Sequence, residues 1–397
     1  KLGHVGGFVG RLYGKLVNVT NTGKVKGIAT YNAGVAGFVQ QGAVLDGVKN
    51  YGEITSSAAY VAGVAAYVYE DAECNKCVNY GNISSSVAAG YAAGIAATAL
   101  PSKFVECVNE GQISSGSSAG IVANCSGKSG GLIYTFDRCQ NKGEVTGNGI
   151  LGGITAVQGA TAGNNVCHYI QCVNNGDITA TATQAVSSSA MAGIAAFYSP
   201  GSVFEYCINT GFVTNTKSVY TAGIAANNKG SATADYPVVF KGCVNTGNIA
   251  SSAQQIAGIV AYITNYTSVD SCLNYGTIEQ GIWGAAGICY TMAGTTSSLT
   301  NCINYGDVSV TQYNAGGIVG NCASTTAVIE NCVNVGNITS TTTAEKNNYG
   351  VGGIAGSSYA TMKNCFNAGK VVGKLRVGGI VGSPSYSANG ARTQLVN

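Results

Sequence analysis

Charge is scarce in this chain. Only 9% of its 397 residues are Asp, Glu, Lys or Arg, and the formal net charge of +3 is scattered rather than gathered into a basic stripe, which argues against nucleic acid as a partner. Proline is nearly missing, at 4 residues, so no Pro-rich spacer exists, and there is neither a linker nor a disordered tail. Histidine occurs only as His4 and His168; no Ser/His/Asp order and no HExxH helix can be built from them, which disfavours hydrolase triads and leaves no evident metal ligands or cofactor. No apolar run reaches about 18 residues, so there is no membrane span. Lys1 opens directly on repeat sequence without a signal peptide, so any export signal has been removed or lies outside this segment. Helical spacing over a full window is also lacking.

What the chain has instead is a repeat. A ten-residue phrase, Φ-x-x-C-Φ-N-x-G-x-[IV] with Φ apolar, returns throughout, its Asn falling at Asn21, Asn50, Asn79, Asn109, Asn141, Asn174, Asn209, Asn245, Asn274, Asn304, Asn334 and Asn367, 29 to 36 residues apart. Between the copies runs a second phrase, [AG]-G-[IVF]-[AVT]-[AG], as in Gly63-Val64-Ala65-Ala66 and Gly317-Ile318-Val319-Gly320. A period of this size means a solenoid or a propeller, and propeller blades need longer repeats.

Counted from the Cys, positions 0, 2, 4 and 6 hold Cys, Asn, Gly and Ile or Val, while position 5 is mostly polar; this is strand alternation. Asn-x-Gly inside it reads as a bend, with Gly free to take positive φ. The Gly-Ile-Val phrase supplies a third short strand, and Ser/Thr/Ala-rich stretches such as Thr179 to Ser189 and Thr339 to Lys346 supply the remaining turns. The expectation is an all-β, right-handed parallel β-helix of about 13 coils and roughly 30 residues per coil, one continuous array over residues 1–397. In-register stacking, at about 4.8 Å per coil, lines up Cys77, Cys107, Cys139, Cys172, Cys207, Cys243, Cys272, Cys302, Cys332 and Cys365 as an internal column, and Asn79 to Asn367 of the phrase as a second column of amides bonding one another. The parallel Cβ vectors of stacked Cys strain a disulfide, so these are expected to be buried thiols acting as fillers, and Cys74-x-x-Cys77 is read in the same way rather than as half a zinc site. Position 1 after the Cys is apolar (Val78, Val108, Val173 and onward); either it is an outward stripe that would mark lateral association or, as we rather expect, the bend turns it inward.

At this point the residues carry a family resemblance. Gly316-Gly317-Ile318-Val319-Gly320 followed by Val328-Ile329-Glu330-Asn331-Cys332-Val333-Asn334-Val335-Gly336-Asn337-Ile338 resembles the GLUG repeat of bacterial surface proteins. The resemblance covers essentially the whole chain and implies a scaffold of adhesin or cell-wall type, extracellular or at the cell surface.

Signals of chemistry are few. Gly147-x-Gly149-x-x-Gly152 and Ser126-Gly127-Lys128-Ser129 match nucleotide motifs only by letter. Glu144 and Asp177 share a ladder position in successive coils, His168 lies between them in sequence, and the coils lengthen there; a carbohydrate-binding or carbohydrate-active groove at this place is the alternative to a purely structural role. No aromatic row for stacking a substrate is conspicuous beside them. Two residues before the Cys, the order Glu205, Lys241, Asp270, Thr300, Glu330, Lys363 never stacks like charges, as a solvent-facing ladder requires. The sequons at Asn18, Asn82, Asn124, Asn265 and Asn337 are candidate glycan sites, with Asn82 and Asn337 at the outward position 5. Finally, Leu2-Gly3-His4-Val5 and Leu395-Val396-Asn397 cut the repeat at the same place and no polar cap closes either end. A piece of a longer array, or subunits stacked with Asn397 of one meeting Lys1 of the next, is the expected arrangement. The partner is then the chain itself, with a host-surface or glycan ligand as a further candidate.

Overall fold

The computed structural model describes residues 3–127, 133–158, 165–181, 189–215, 219–252, 254–281, 283–341, 349–384 and 393–396, without the side chains of 280 and 281. Most of the variable stretches 179–189 and 339–346, and the terminal Lys1 and Asn397, lie outside the described residues. Among those described, all regular structure is β-strand, and the strands stack in parallel as a β-solenoid.

Each coil contributes five strands rather than the three expected. In the coil that starts at Tyr60 they are Tyr60–Ala62, Ala65–Val68, Glu73–Asn75, Val78–Asn79 and Ile83–Ser85, and we call the sheets they join the first to the fifth. The first three sheets hold 13 strands each and the last two hold 12. The extra divisions come from a corner that periodicity does not reveal. The residue before the Cys takes a left-handed backbone in coil after coil, with φ of 51° at Lys76, 53° at Glu106, 54° at Asn331 and 61° at Gly242. This breaks the phrase between the third and fourth sheets and leaves the fourth only two residues wide.

The Gly of Asn-x-Gly is present for a different reason from the one expected. Its φ is not positive. A Cβ on Gly81 would lie 2.0 Å from the carbonyl oxygen of Gly52, and Gly111, Gly247 and Gly306 repeat that distance, so close coil-to-coil approach excludes any side chain.

The fixed phrases face one another across the coil. Gly63, at the corner between the first and second sheets, is so near the opposite wall that a Cβ there would meet Asn79 Oδ1 at 2.1 Å, and Gly34, Gly94 and Gly223 stand in the same way to Asn50, Asn109 and Asn245. The coil is thus pinched into a waist. On one side lies a core of Val64, Val68, Cys77, Phe104 and their equivalents; on the other, a smaller core of Ile54, Val61, Ile83 and Ile113. The Asn column fills the waist. Asn79 Nδ2 donates to Asn109 Oδ1 at 2.8 Å and to the Gly81 carbonyl at 2.8 Å, and the links run on through Asn141, Asn174, Asn209, Asn245, Asn274, Asn304, Asn334 and Asn367 at 2.7–2.8 Å. A buried amide with all its groups bonded avoids the roughly 1–3 kcal/mol cost of an unsatisfied one.

The Cys column is internal, and all fifteen cysteines are free thiols. They do more than fill space: Cys107 Sγ donates to the Cys74 carbonyl at 3.1 Å, Cys139 to Phe104 at 3.3 Å and Cys172 to Phe136 at 3.2 Å. Burial, ahead of the neighbouring thiols, pushes Cys139 and Cys272 well above the usual thiol range. Beside them Phe104, Phe136, Tyr169, Phe204 and Phe240 stack ring on ring with centroids 4.6–5.3 Å apart.

The apolar position after the Cys faces outward, against expectation. Val78, Val108, Val173, Ile208, Val244, Leu273, Ile303 and Val333 are half-buried, while Cys and Asn on either side are buried. A two-residue strand between two inward anchors leaves no room for the rotation that would turn this side chain in.

Candidate functional site

The corner between the first and second sheets is re-entrant, and its outer face forms a furrow along the solenoid. Its floor is two columns of small residues, Ala62 and Ala66, then Ala93 and Ala97, and on through Ala222 and Ala226 to Ala257 and Ala261, fully buried although they face away from the two cores. Small residues are required because the two walls converge: Gly37, in the column of Ala66, has His4 and Val5 of the facing wall within 3.0 Å of its Cβ position. Rims rise from the outward residues of each sheet.

These rims carry aromatic rows. On the first sheet Tyr31, Tyr60 and Tyr91 stack at 4.8 and 5.5 Å, with His4 over Tyr31 at 5.2 Å. On the second, Phe38 lies flat on Tyr67 at 4.7 Å, and Tyr31 meets Tyr67 edge-on across the furrow at 5.5 Å. Burial, helped by the neighbouring tyrosines, pushes the Tyr67 phenol up to about 12. A second concentration lies toward the other end, where Trp283, Tyr290, Tyr313 and Tyr349 enclose a cleft of about 320 Å³ with Gln255, Thr291, Asn314 and Asn321. Sequence reasoning missed both. Tyr31, Tyr60 and Tyr91 become one row only when the coils are aligned on the Gly-Ile-Val phrase rather than on the Cys phrase, because the intervening stretch varies in length.

The acidic candidates sit elsewhere. Glu144 and Asp177 are neighbours on successive coils at the entry to the fifth sheet, where Val145 N donates to the Asp177 carbonyl at 2.9 Å. Asp177 is engaged structurally: its Oδ1 accepts from the backbone N–H of Phe212 in the next coil at 2.9 Å. Asn82, Asn248 and Asp307 do the same for Gln112, Thr277 and Asn337 at 2.7–3.0 Å. Where position 5 is Asn or Asp, it therefore bonds the next coil's backbone. His168 belongs to the third sheet, level with Thr135 and Val203, so it does not share a wall with the acidic pair. Burial lowers its pKa and Glu205 opposes the shift. The long stretches expected to wall this groove fall largely outside the described residues. The charge ladder is in register, Glu205 level with Lys241 and Lys241 with Asp270.

Of the sequon residues, Asn18, Asn82 and Asn337 are exposed. Asn124 Nδ2 is occupied by Thr98 Oγ1 at 3.2 Å and Asn265 Oδ1 accepts from Thr295 N at 2.7 Å. Among the described residues no cluster of His, Cys, Asp and Glu could hold a metal ion, and no helix is long and apolar enough to cross a membrane. Compared with family profiles, with curated proteins and with solved structures, the chain finds no match in any of the three.

Proposed function

We propose that this chain is a structural repeat segment, part of a fibre or adhesin stalk outside the cell, in which solenoids stack or continue end to end. The observation that carries the reading is the unbroken in-register stacking of all five sheets, in which each coil covers the apolar positions of the one before it. Phe8 and Leu395 occupy the inward positions that are fully buried as Val64 and Leu299 in the middle of the array, yet both are 60% exposed, and a 320 Å³ opening at one end is lined by Met362, Cys365 and Ile380. Apolar surface of this kind, rimmed by unpaired strand edges, is favourably covered by one more coil. The GLUG-like phrases support a surface location, and the outward Val78-to-Val333 stripe offers lateral contact between rods.

Light scattering and electron microscopy of the isolated segment test this. We expect rods heavier than the 39.9 kDa chain, growing with concentration and shortened by Phe8→Lys or Leu395→Lys. A chain that stays monomeric at high concentration, with neither substitution changing its size, would return it to the class of solitary binding modules.

A further inference from the structure

The furrow is interrupted once. Where the other coils place Ala or Gly, the coil following Ala261 places Tyr290, level with Gly320 in the next coil. The ring lies on the floor itself. A Cβ on Gly320 would stand 2.2 Å from Tyr290 Cδ2, and one on Gly284 2.5 Å from Cε2, so two glycines make the space that the ring fills. Its hydroxyl donates to the Trp283 carbonyl at 2.9 Å, which ties the floor to the rim. Trp283, 44% exposed, then faces Tyr313 at 5.8 Å, and Tyr349 meets Tyr313 edge-on at 4.4 Å. Three rings thus stand over a fourth in a shaped cleft of about 320 Å³.

The remaining wall is polar and uncharged. Thr291 Oγ1 donates to Gln255 Oε1 at 2.9 Å, which orients the Gln255 amide nitrogen, and Asn321 repeats the Thr291 position one coil on. Among the described residues, no Asp, Glu, Lys or Arg lines the cleft. A phosphate, a nucleic acid or a charged peptide would find no counter-charge among them. A purely apolar ligand would strand the amides and hydroxyl. Rings that accept an apolar face, beside amides that pair with hydroxyls, fit a molecule carrying both on one unit, and the coil repeat sets such polar partners about 4.8 Å apart along the axis.

We infer that the cleft formed by Trp283, Tyr290, Tyr313 and Tyr349 binds a neutral oligosaccharide, its sugar faces on the rings and its hydroxyls on Gln255, Thr291 and Asn321. This site is separate from the Glu144–Asp177 region and does not depend on end-to-end stacking.

Trp283 is the only tryptophan in the chain, so its fluorescence reports on this cleft alone. Titration of the full chain with neutral hexasaccharides (cellohexaose, mannohexaose, laminarihexaose and chitohexaose) is expected to give a saturable change in emission with at least one. Calorimetry with that sugar should show affinity falling at least tenfold in Trp283→Ala and in Asn321→Ala. Asn321→Ala removes no hydrogen bond among the described residues and serves as the folding-neutral variant, with an unchanged melting temperature as its control. An unchanged emission with every sugar at millimolar concentration would overturn the assignment, as would undiminished binding in Asn321→Ala. Tighter binding of sulfated oligosaccharide or single-stranded DNA would overturn its neutral character. Loss of self-association in Trp283→Ala would identify the occupant as a second copy of the chain instead.

Discussion

A buried primary amide brings two donors and a carbonyl that must all be bonded, and one residue per coil meets that demand with the same partners. Asn245 receives from Asn209 and donates to Asn274 and to the Gly247 carbonyl. We expect Asn245→Leu to leave Asn209 and Asn274 each short of a partner, at roughly 1–3 kcal/mol apiece. Thr246→Leu, at an exposed neighbour, should be nearly neutral. Urea unfolding of the two variants checks this; coincident midpoints would mean that the column adds no stability. The column was legible in the sequence because the same residue recurs at the same offset and in-register stacking leaves it no other neighbour. The glycine two residues on was equally visible, but its reason was not. Sequence suggests freedom of φ, whereas the cause is the Gly52 carbonyl beneath Gly81, and a contact between coils has no local signature.

At the scale of the strand and corner, the fold follows from where walls come close. Between the first and second sheets the backbone turns toward the Asn column, and only glycine fits the point of contact. A Cβ on Gly223 would lie 2.2 Å from the Gly258 carbonyl and 2.3 Å from Asn245 Oδ1. Gly223→Ala is therefore expected to cost about 1–3 kcal/mol through forced separation of the walls. Gly14→Ala, with open space around its Cβ position, should be neutral or stabilise by up to about 1 kcal/mol. Thermal unfolding of both separates crowding from a general intolerance of alanine. Two constant phrases per period were plain in the sequence; that they touch each other was not. Five strands were read as three because a two-residue strand such as Val78–Asn79 shows no period of its own. The aromatic rims went unread for a related reason, since loops of unequal length hide a register that only the stacked coils define.

For the whole molecule, each coil is held by the coils on either side, so stability accumulates along one dimension. In the isolated segment, central coils have two neighbours and terminal ones have one. Hydrogen exchange should then show the slowest amides around Asn174 and Asn209, with protection declining toward both ends over a few coils. If the rods stack as proposed, raising the concentration should restore protection at the ends and leave the centre unchanged. A flat profile, indifferent to concentration, would contradict both nearest-neighbour stacking and assembly through the open coils.

The asparagine column also has a direction. In every link Nδ2 of one coil donates to Oδ1 of the coil that follows, from Asn21 to Asn367. Aligned amide dipoles add along an axis as peptide dipoles add along a helix, so the waist carries a positive pole toward Asn367 and a negative pole toward Asn21. Two rods meeting head to tail extend the column, whereas two meeting head to head set like poles together. A filament built from this unit is consequently a vector: its two tips differ chemically, and subunits join it in one orientation only.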